Sequence, residues 1–197
     1  MAALPEVVLV DFPGTYSLHA ISGEEQVAVN YFSEALDDPD VEQVLCLIDV
    51  TRLEKSLYFT LQVIRECERH GKHAVVIANM MDVLEKHKIS IDLEGLAAEV
   101  QAPVVPVSAR SGKGLEELLG QIKKGIANGK GPANSGIVDV PDAILRGTAH
   151  KLAHKYGPKG DLLIKSQARL DSFFLHTAFG GIVFFSIMYL MFQSIFT

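Results

Sequence analysis

Cysteine is scarce in this chain of 197 residues: Cys46 and Cys67 are the only two, and they have no close spacing. That excludes a disulfide-stapled scaffold. Cys46 lies in an apolar run and Cys67 in a helical stretch, so both read as reduced thiols in a domain interior. Positive charge is also in short supply. Eighteen Lys and Arg face 24 Asp and Glu, for a net charge of −6, which leaves no broad basic face for nucleic acid. The first residues lack a basic region followed by a long apolar run, so no secretory signal is read. No internal repeat is found. One long stretch, residues 172–197, has no Asp, Glu, Lys or Arg at all.

That stretch, "SFFLHTAFGGIVFFSIMYLMFQSIFT", accounts for part of the high apolar fraction of 48%. A helix of about 20 apolar residues covers a bilayer core, and a buried soluble helix of that length would carry a polar stripe. The expectation is a transmembrane helix; the alternative is a core or interface helix. Lys151, Lys155, Lys159, Lys165 and Arg169 precede the run. The positive-inside rule then places the N-terminal part in the cytoplasm.

Elsewhere short apolar runs alternate with helical patterns. Residues 6–10 read as a short buried strand ending at Asp11. Residues 23–36 carry Val27, Tyr31, Phe32 and Ala35 at helical spacing. "VEQVLCLIDV", residues 41–50, reads as a strand covered on both faces. A helix over 53–70 is closed by Gly71. "HAVVIAN", 73–79, is a second buried strand. A helix near 92–100, the short strand "PVVPVS" and an amphipathic helix over 115–127 follow. This order predicts an α/β fold with a mostly parallel sheet. "NGKGPANSG", 128–136, reads as a linker, and 141–156 and 161–171 read as helices. The expected division is a partial nucleotide-binding domain over 1–128, a linker and helical spacer over 129–171, and a membrane helix over 172–197.

Ligands of open α/β sheets sit beyond the carboxyl ends of the strands. Three such ends carry unusual polar residues. In Asp11-Phe12-Pro13-Gly14, Asp11 is placed to hold Mg²⁺ through water, and Gly14 lets its amide approach a terminal phosphate. In Asn79-Met80-Met81-Asp82, the Asp82 carboxylate can accept two N–H bonds from a guanine edge, while Asn79 ties neighbouring loops. In Ser108-Ala109-Arg110, the Ala109 N–H is placed to face the guanine carbonyl. Each piece alone is weak, and DxPG by itself is an ordinary turn. Their order, the strand before each, and their spacing match the third, fourth and fifth boxes of a GTPase domain. The chain thus reads as an incomplete P-loop GTPase of the TRAFAC-like kind, with GTP or GDP and Mg²⁺ as expected ligands.

"DFPGTYSL", "GEEQVAVNYF", "LIDVTRLEKSLYFTLQVIRE" and "VVIANMMDV" together resemble the ferrous-iron transporters of the FeoB type, as does "ARLDSFFLHTAFGGIVFFSIMYLMFQSIF". In that family DLPGTYSL is the third GTPase box and NMMD the fourth, so Met80 is family-like where most GTPases have lysine. The resemblance implies a cytoplasmic GTPase domain, a helical spacer with a regulatory role, and a multi-span part that moves Fe²⁺ across a bacterial inner membrane.

Parts of that pattern are missing. No G-x-x-x-x-G-K-[ST] occurs in the sequence. "SGKGL", 111–115, has Gly114 where Ser or Thr should face Mg²⁺. The first switch and later membrane spans are absent too. The expectation is a truncated or split transporter that binds GTP very weakly by itself, with Val8 and Val10 lacking a strand neighbour. A second reading is a non-catalytic module tethered to membrane lipid, paired with a separate chain that supplies the phosphate loop. A third, a soluble ribosome- or tRNA-associated GTPase, is disfavoured by the charge-free tail and the acidic balance. His150 and His154 stand at i, i+4, but without a carboxylate or third ligand they read as a solvated basic face. His176 is given no chemistry, and Met188 and Met191 read as lipid-facing packing rather than an iron path.

Overall fold

A computed structural model describes residues 7–19, 23–128, 140–159 and 177–196. The chain divides into two compact units, Met1–Lys159 and Gly160–Thr197. In the first unit, helix α1 (Gly23–Asp37) is followed by strand β1 (Gln43–Asp49), a 3-10 turn (Val50–Arg52) and helix α2 (Leu53–Arg69). Strand β2 (His73–Asn79), short helix α3 (Met81–Lys86), helix α4 (Leu93–Val100), strand β3 (Val104–Pro106), helix α5 (Leu115–Asn128) and helix α6 (Asp142–Tyr156) complete it.

The three strands form one sheet in the order β1-β2-β3, and both pairings are parallel. Register runs from Gln43 opposite His73 to Asp49 opposite Asn79, and Ala78 lies opposite Pro106. All strands therefore end at the same edge, where Asn79 and the residues after Pro106 emerge together.

Period-two alternation sorts the strand side chains onto two faces. On one face Leu45, Val75, Ile77, Val105 and Val107 pack with Leu118 of α5. On the other, Cys46 Sγ lies 3.7 Å from Thr60 Oγ1 of α2, and Leu57 and Leu61 are fully buried. Burial pushes the Cys46 thiol up to about 11. Burial, aided by neighbouring Cys46 and glutamates, pushes Cys67 up to about 12. Gly71, at φ 66°, ends α2 as the sequence suggests.

Two expectations fail. Residues 7–10 form no strand and are exposed, with Val8 at 84%. An extended segment without a ladder partner leaves its backbone groups to water, and no described strand lies beside it. The 41–50 strand is not covered on both faces either: Leu47 is 62% exposed. Leu47 shares its face with Leu45, yet only Leu45 packs against the cluster of Val75, Ile77, Val105 and Val107. One edge of β1 pairs with β2, and its other edge has no partner among the described strands.

Helix α6 belongs to the first unit. It buries Leu145, Ala149, Leu152 and Tyr156. The Tyr156 hydroxyl donates to Glu99 at 2.9 Å, and Arg146 lies 4.8 Å over the Tyr58 ring. His150 does have a carboxylate nearby, Glu54 at 3.3 Å, yet no metal-sized group of three His, Cys, Asp or Glu exists among the described residues.

In the second unit, helix α7 (Thr177–Phe196) covers 20 residues. Phe184, Phe185, Tyr189, Leu190 and Met191 are exposed. Among the described residues no helix is long and apolar enough to cross a membrane. The expected linker over 129–139, the expected helix 161–171 with Lys165 and Arg169, and residues 172–176 with His176 lie outside the described residues.

The contrast between two leucines tests this packing. Leu61→Ala should cost about 2–5 kcal/mol, whereas Leu47→Ala should stay within about 0.5 kcal/mol. Urea denaturation of the purified chain in detergent measures both.

Candidate nucleotide site

The ends of β2 and β3 build one side of the site. Asn79 is the last residue of β2, and Met80 turns the chain sharply at φ 71° into α3. The Ala109 N–H donates to Asn79 Oδ1 at 3.1 Å, across 30 residues of sequence. Val107 N donates to Ala78 O at 2.8 Å, and Met81 N to Val107 O at 3.4 Å. The two loops are therefore laced together by backbone as well as side chain. Asp82 stands in the first turn of α3, half-buried, and neither of its oxygens has a hydrogen bond or ion pair among the described residues.

The loop after β3 is tight. Ser108 is buried, its N–H donates to Lys113 O at 3.0 Å, and its carbonyl accepts from Gly112 N at 2.9 Å. Gly114 has φ 84°, and a Cβ there would sit 2.0 Å from Pro106 O. This close approach explains the second glycine of "SGKGL" by packing rather than by phosphate binding. Lys113 Nζ is turned away to Glu85 at 2.5 Å.

The Asp11–Gly14 side is different. Asp11, Phe12, Pro13 and Gly14 are exposed coil. Asp11 makes no hydrogen bond or ion pair among the described residues, and open space surrounds Gly14. The structure brings Asn79, Met80, Asp82, Ser108 and Ala109 together, and shows no bond from Asp11, Pro13 or Gly14 to any of them. The Ala109 N–H, expected to face a guanine carbonyl, is engaged by Asn79. The Asp82 carboxylate offers two unbonded acceptor oxygens, the chemistry a guanine N–H edge would need. Asp11 has no second protein ligand for Mg²⁺ among the described residues, so the residues there do not fit the ion.

Immediately downstream the chain is anchored. Thr15 Oγ1 donates to Ser17 O at 2.8 Å, and Leu18 N donates to Gln62 Oε1 at 3.0 Å. Gln62 is fully buried in α2. His19 Nε2 pairs with Asp142 Oδ2 of α6, and Arg65 Nη1 lies 2.9 Å from Asp142 Oδ1. Arg65 also donates to Val140 O at 3.1 Å. Burial works to raise the Asp142 carboxyl, but the His19 hydrogen bond and the Arg65 charge outweigh it and hold it below 3.8. Sequence reasoning missed Gln62, Arg65 and Asp142. The available signal was two polar residues, three apart, inside the apolar core of α2.

Gly114→Ala should cost about 1–3 kcal/mol through backbone strain, and should speed hydrogen exchange at the Val107 and Ser108 amides. Because the folded Asp142 value is lowered, its stabilisation is present above pH 3.8 and is lost as pH falls through the folded value. Asp142→Asn should therefore flatten the acid limb of a denaturation-midpoint profile between pH 7 and pH 2.5, roughly.

Residues 2–122 match the family described as Ferrous iron transport protein B. The Fe(2+) transporter FeoB of Salmonella typhimurium is 36% identical over 127 residues, covering 62% of this chain and 15% of that protein. The chain thus spans less than a sixth of the length of that relative. Among solved structures, the FeoB G-domain from Methanococcus jannaschii is 34% identical at a TM-score of 0.52, covering 60% of this chain and 70% of that one. The cytosolic domain of T. maritima FeoB in its GMPPNP form is 33% identical at a TM-score of 0.51, covering 59% of this chain and 44% of that one. The α/β fold of the first unit is thus shared with solved FeoB G domains, and the chain belongs to the ferrous iron transport protein B family.

Proposed function

We propose that this chain carries the guanine-facing half of a G domain in a GTP-dependent ferrous iron transporter. In the complete system, binding and hydrolysis of GTP are coupled to Fe²⁺ uptake across the bacterial inner membrane. The observation that carries the reading is the laced pair of loops, Asn79 to Ala109 at 3.1 Å, beside an unpaired Asp82 carboxylate. A carboxylate in a half-buried loop end accepts two N–H donors of a flat base edge well, and Asn79 holds that end rigid by its bond to the next loop. Asn79, Met80 and Asp82 select the base, with Ser108 and Ala109 shaping the loop beneath it. Asp11, Pro13 and Gly14 form the segment that would meet the γ-phosphate, with the Gly14 amide free of any side-chain obstruction.

The sequence contains no phosphate-cradling loop with its lysine, and such loops supply most triphosphate contacts. This chain alone therefore binds GTP weakly. The charge-free run 172–197 extends beyond the described helix α7, and the whole run, rather than α7 by itself, is long enough in sequence to anchor the chain in the membrane, with residues 1–159 on the cytoplasmic side.

One observation favours the second reading, a tethered module completed by another chain. Among the described strands the outer edge of β1 has no partner, and Leu47 in it is bare, which is where a further strand and its helix would add. Titrating the purified chain with fluorescent GTP and Mg²⁺ tests both. The expected result is no binding at micromolar nucleotide, and micromolar binding by the chain alone would overturn the weak-binding reading. Tight binding that appears only on mixing with a separate strand–phosphate-loop fragment, and disappears in Asp82→Ala, would favour the second.

A further inference from the structure

The segment behind Gly14 makes its tertiary hydrogen bonds to two helices, one of them α6. Leu18 N and Ser17 Oγ both lie on Gln62 Oε1, at 3.0 and 3.4 Å. His19 Nε2 reaches Asp142 Oδ2 in the first turn of α6. The Arg65 side chain, 8% exposed, lies between the two helices on the same carboxylate, with Glu66 Oε1 at 3.2 Å on its other side. Arg65 is thus a fixed post, while the His19 side chain is 58% exposed and removable.

We propose that His19, Asp142 and Arg65 form a latch that locks the loop over residues 15–19 to the N-terminal turn of α6. Its meaning rests on the nucleotide reading above: a phosphate drawn to Gly14 pulls the loop, and the loop cannot leave without giving up its bond to the first turn of α6. Gln62 makes the change two-state rather than gradual. Its side chain is fully buried, its Nε2 already lacks a partner, and loss of Leu18 N and Ser17 Oγ would leave Oε1 unpaired as well. A buried amide with no partner on either atom is costly, so the loop is either seated or replaced, not half-withdrawn. At the α6 end the helix has no side-chain cap at Pro141. The His19 bond and the Arg65 donation to Val140 O are what secure that entry.

Hydrogen exchange on the full chain in detergent, without nucleotide, tests the latch independently of any GTP binding. Asp142→Asn should speed exchange at the Leu18 amide by about tenfold, and His19→Gln should do the same at Ile144 and Leu145 in the first turn of α6. Glu54→Gln, which removes the carboxylate facing His150 further along α6, should leave both sites unchanged. Asp142→Asn that leaves Leu18 exchange within about twofold of the parent chain would overturn the proposal. So would His19→Gln with unaltered α6 exchange. If Asp142→Asn speeds the β2 amides as well, it has unfolded the domain, and His19→Gln alone decides.

Discussion

Strand β2 is the support on which the first unit rests. Among the described strands it alone has neighbours on both sides, with seven residues paired to β1 and three to β3. Its two faces feed both layers of the core, α5 over Val75 and Ile77 and α2 over the opposite face. Because the pairing is parallel, the same ladder that buries these residues brings Asn79 and Ser108 out at one edge. The laced loops are a consequence of register. A shift of one residue would turn Val75 and Ile77 away from α5 and carry Asn79 out of reach of the Ala109 amide.

The candidate site is uneven for the same reason. Everything attached to the β2 and β3 ends is backbone-bonded and partly buried, so it is held before any ligand arrives. Everything around Asp11 depends on a strand that does not form. Preorganised groups lose little freedom on binding, whereas a loop that must be ordered by its ligand takes that cost out of the affinity. The two sides of the candidate site therefore stand on different footings within one chain.

The sheet, its parallel sense and the helices over 23–36, 53–70 and 115–127 were legible from period and punctuation, because long apolar runs ended by Gly or by polar strand ends leave few alternatives. The cluster of Asn79, Asp82 and Ser108 was legible from order and spacing. The strand over 6–10 was misread because an apolar run states what wants burial and not whether a neighbour exists to provide it. Leu47 was misread likewise: a continuous apolar strand implies two covered faces only where both layers are complete. The bonds of Gln62, Arg65 and Asp142 were hidden because they join residues 44 to 123 positions apart with no shared pattern.

The anchoring of residues 15–19 also fixes an order of assembly. Strands β1 to β3 and the helices between them are built from neighbours close in sequence, and such elements form early. The loop behind Gly14 has partners in α2 and α6, the latter 123 residues away, so it has nowhere to settle until both helices are docked. Its tertiary bonds therefore require both docked helices, and they are lost once either helix lifts away.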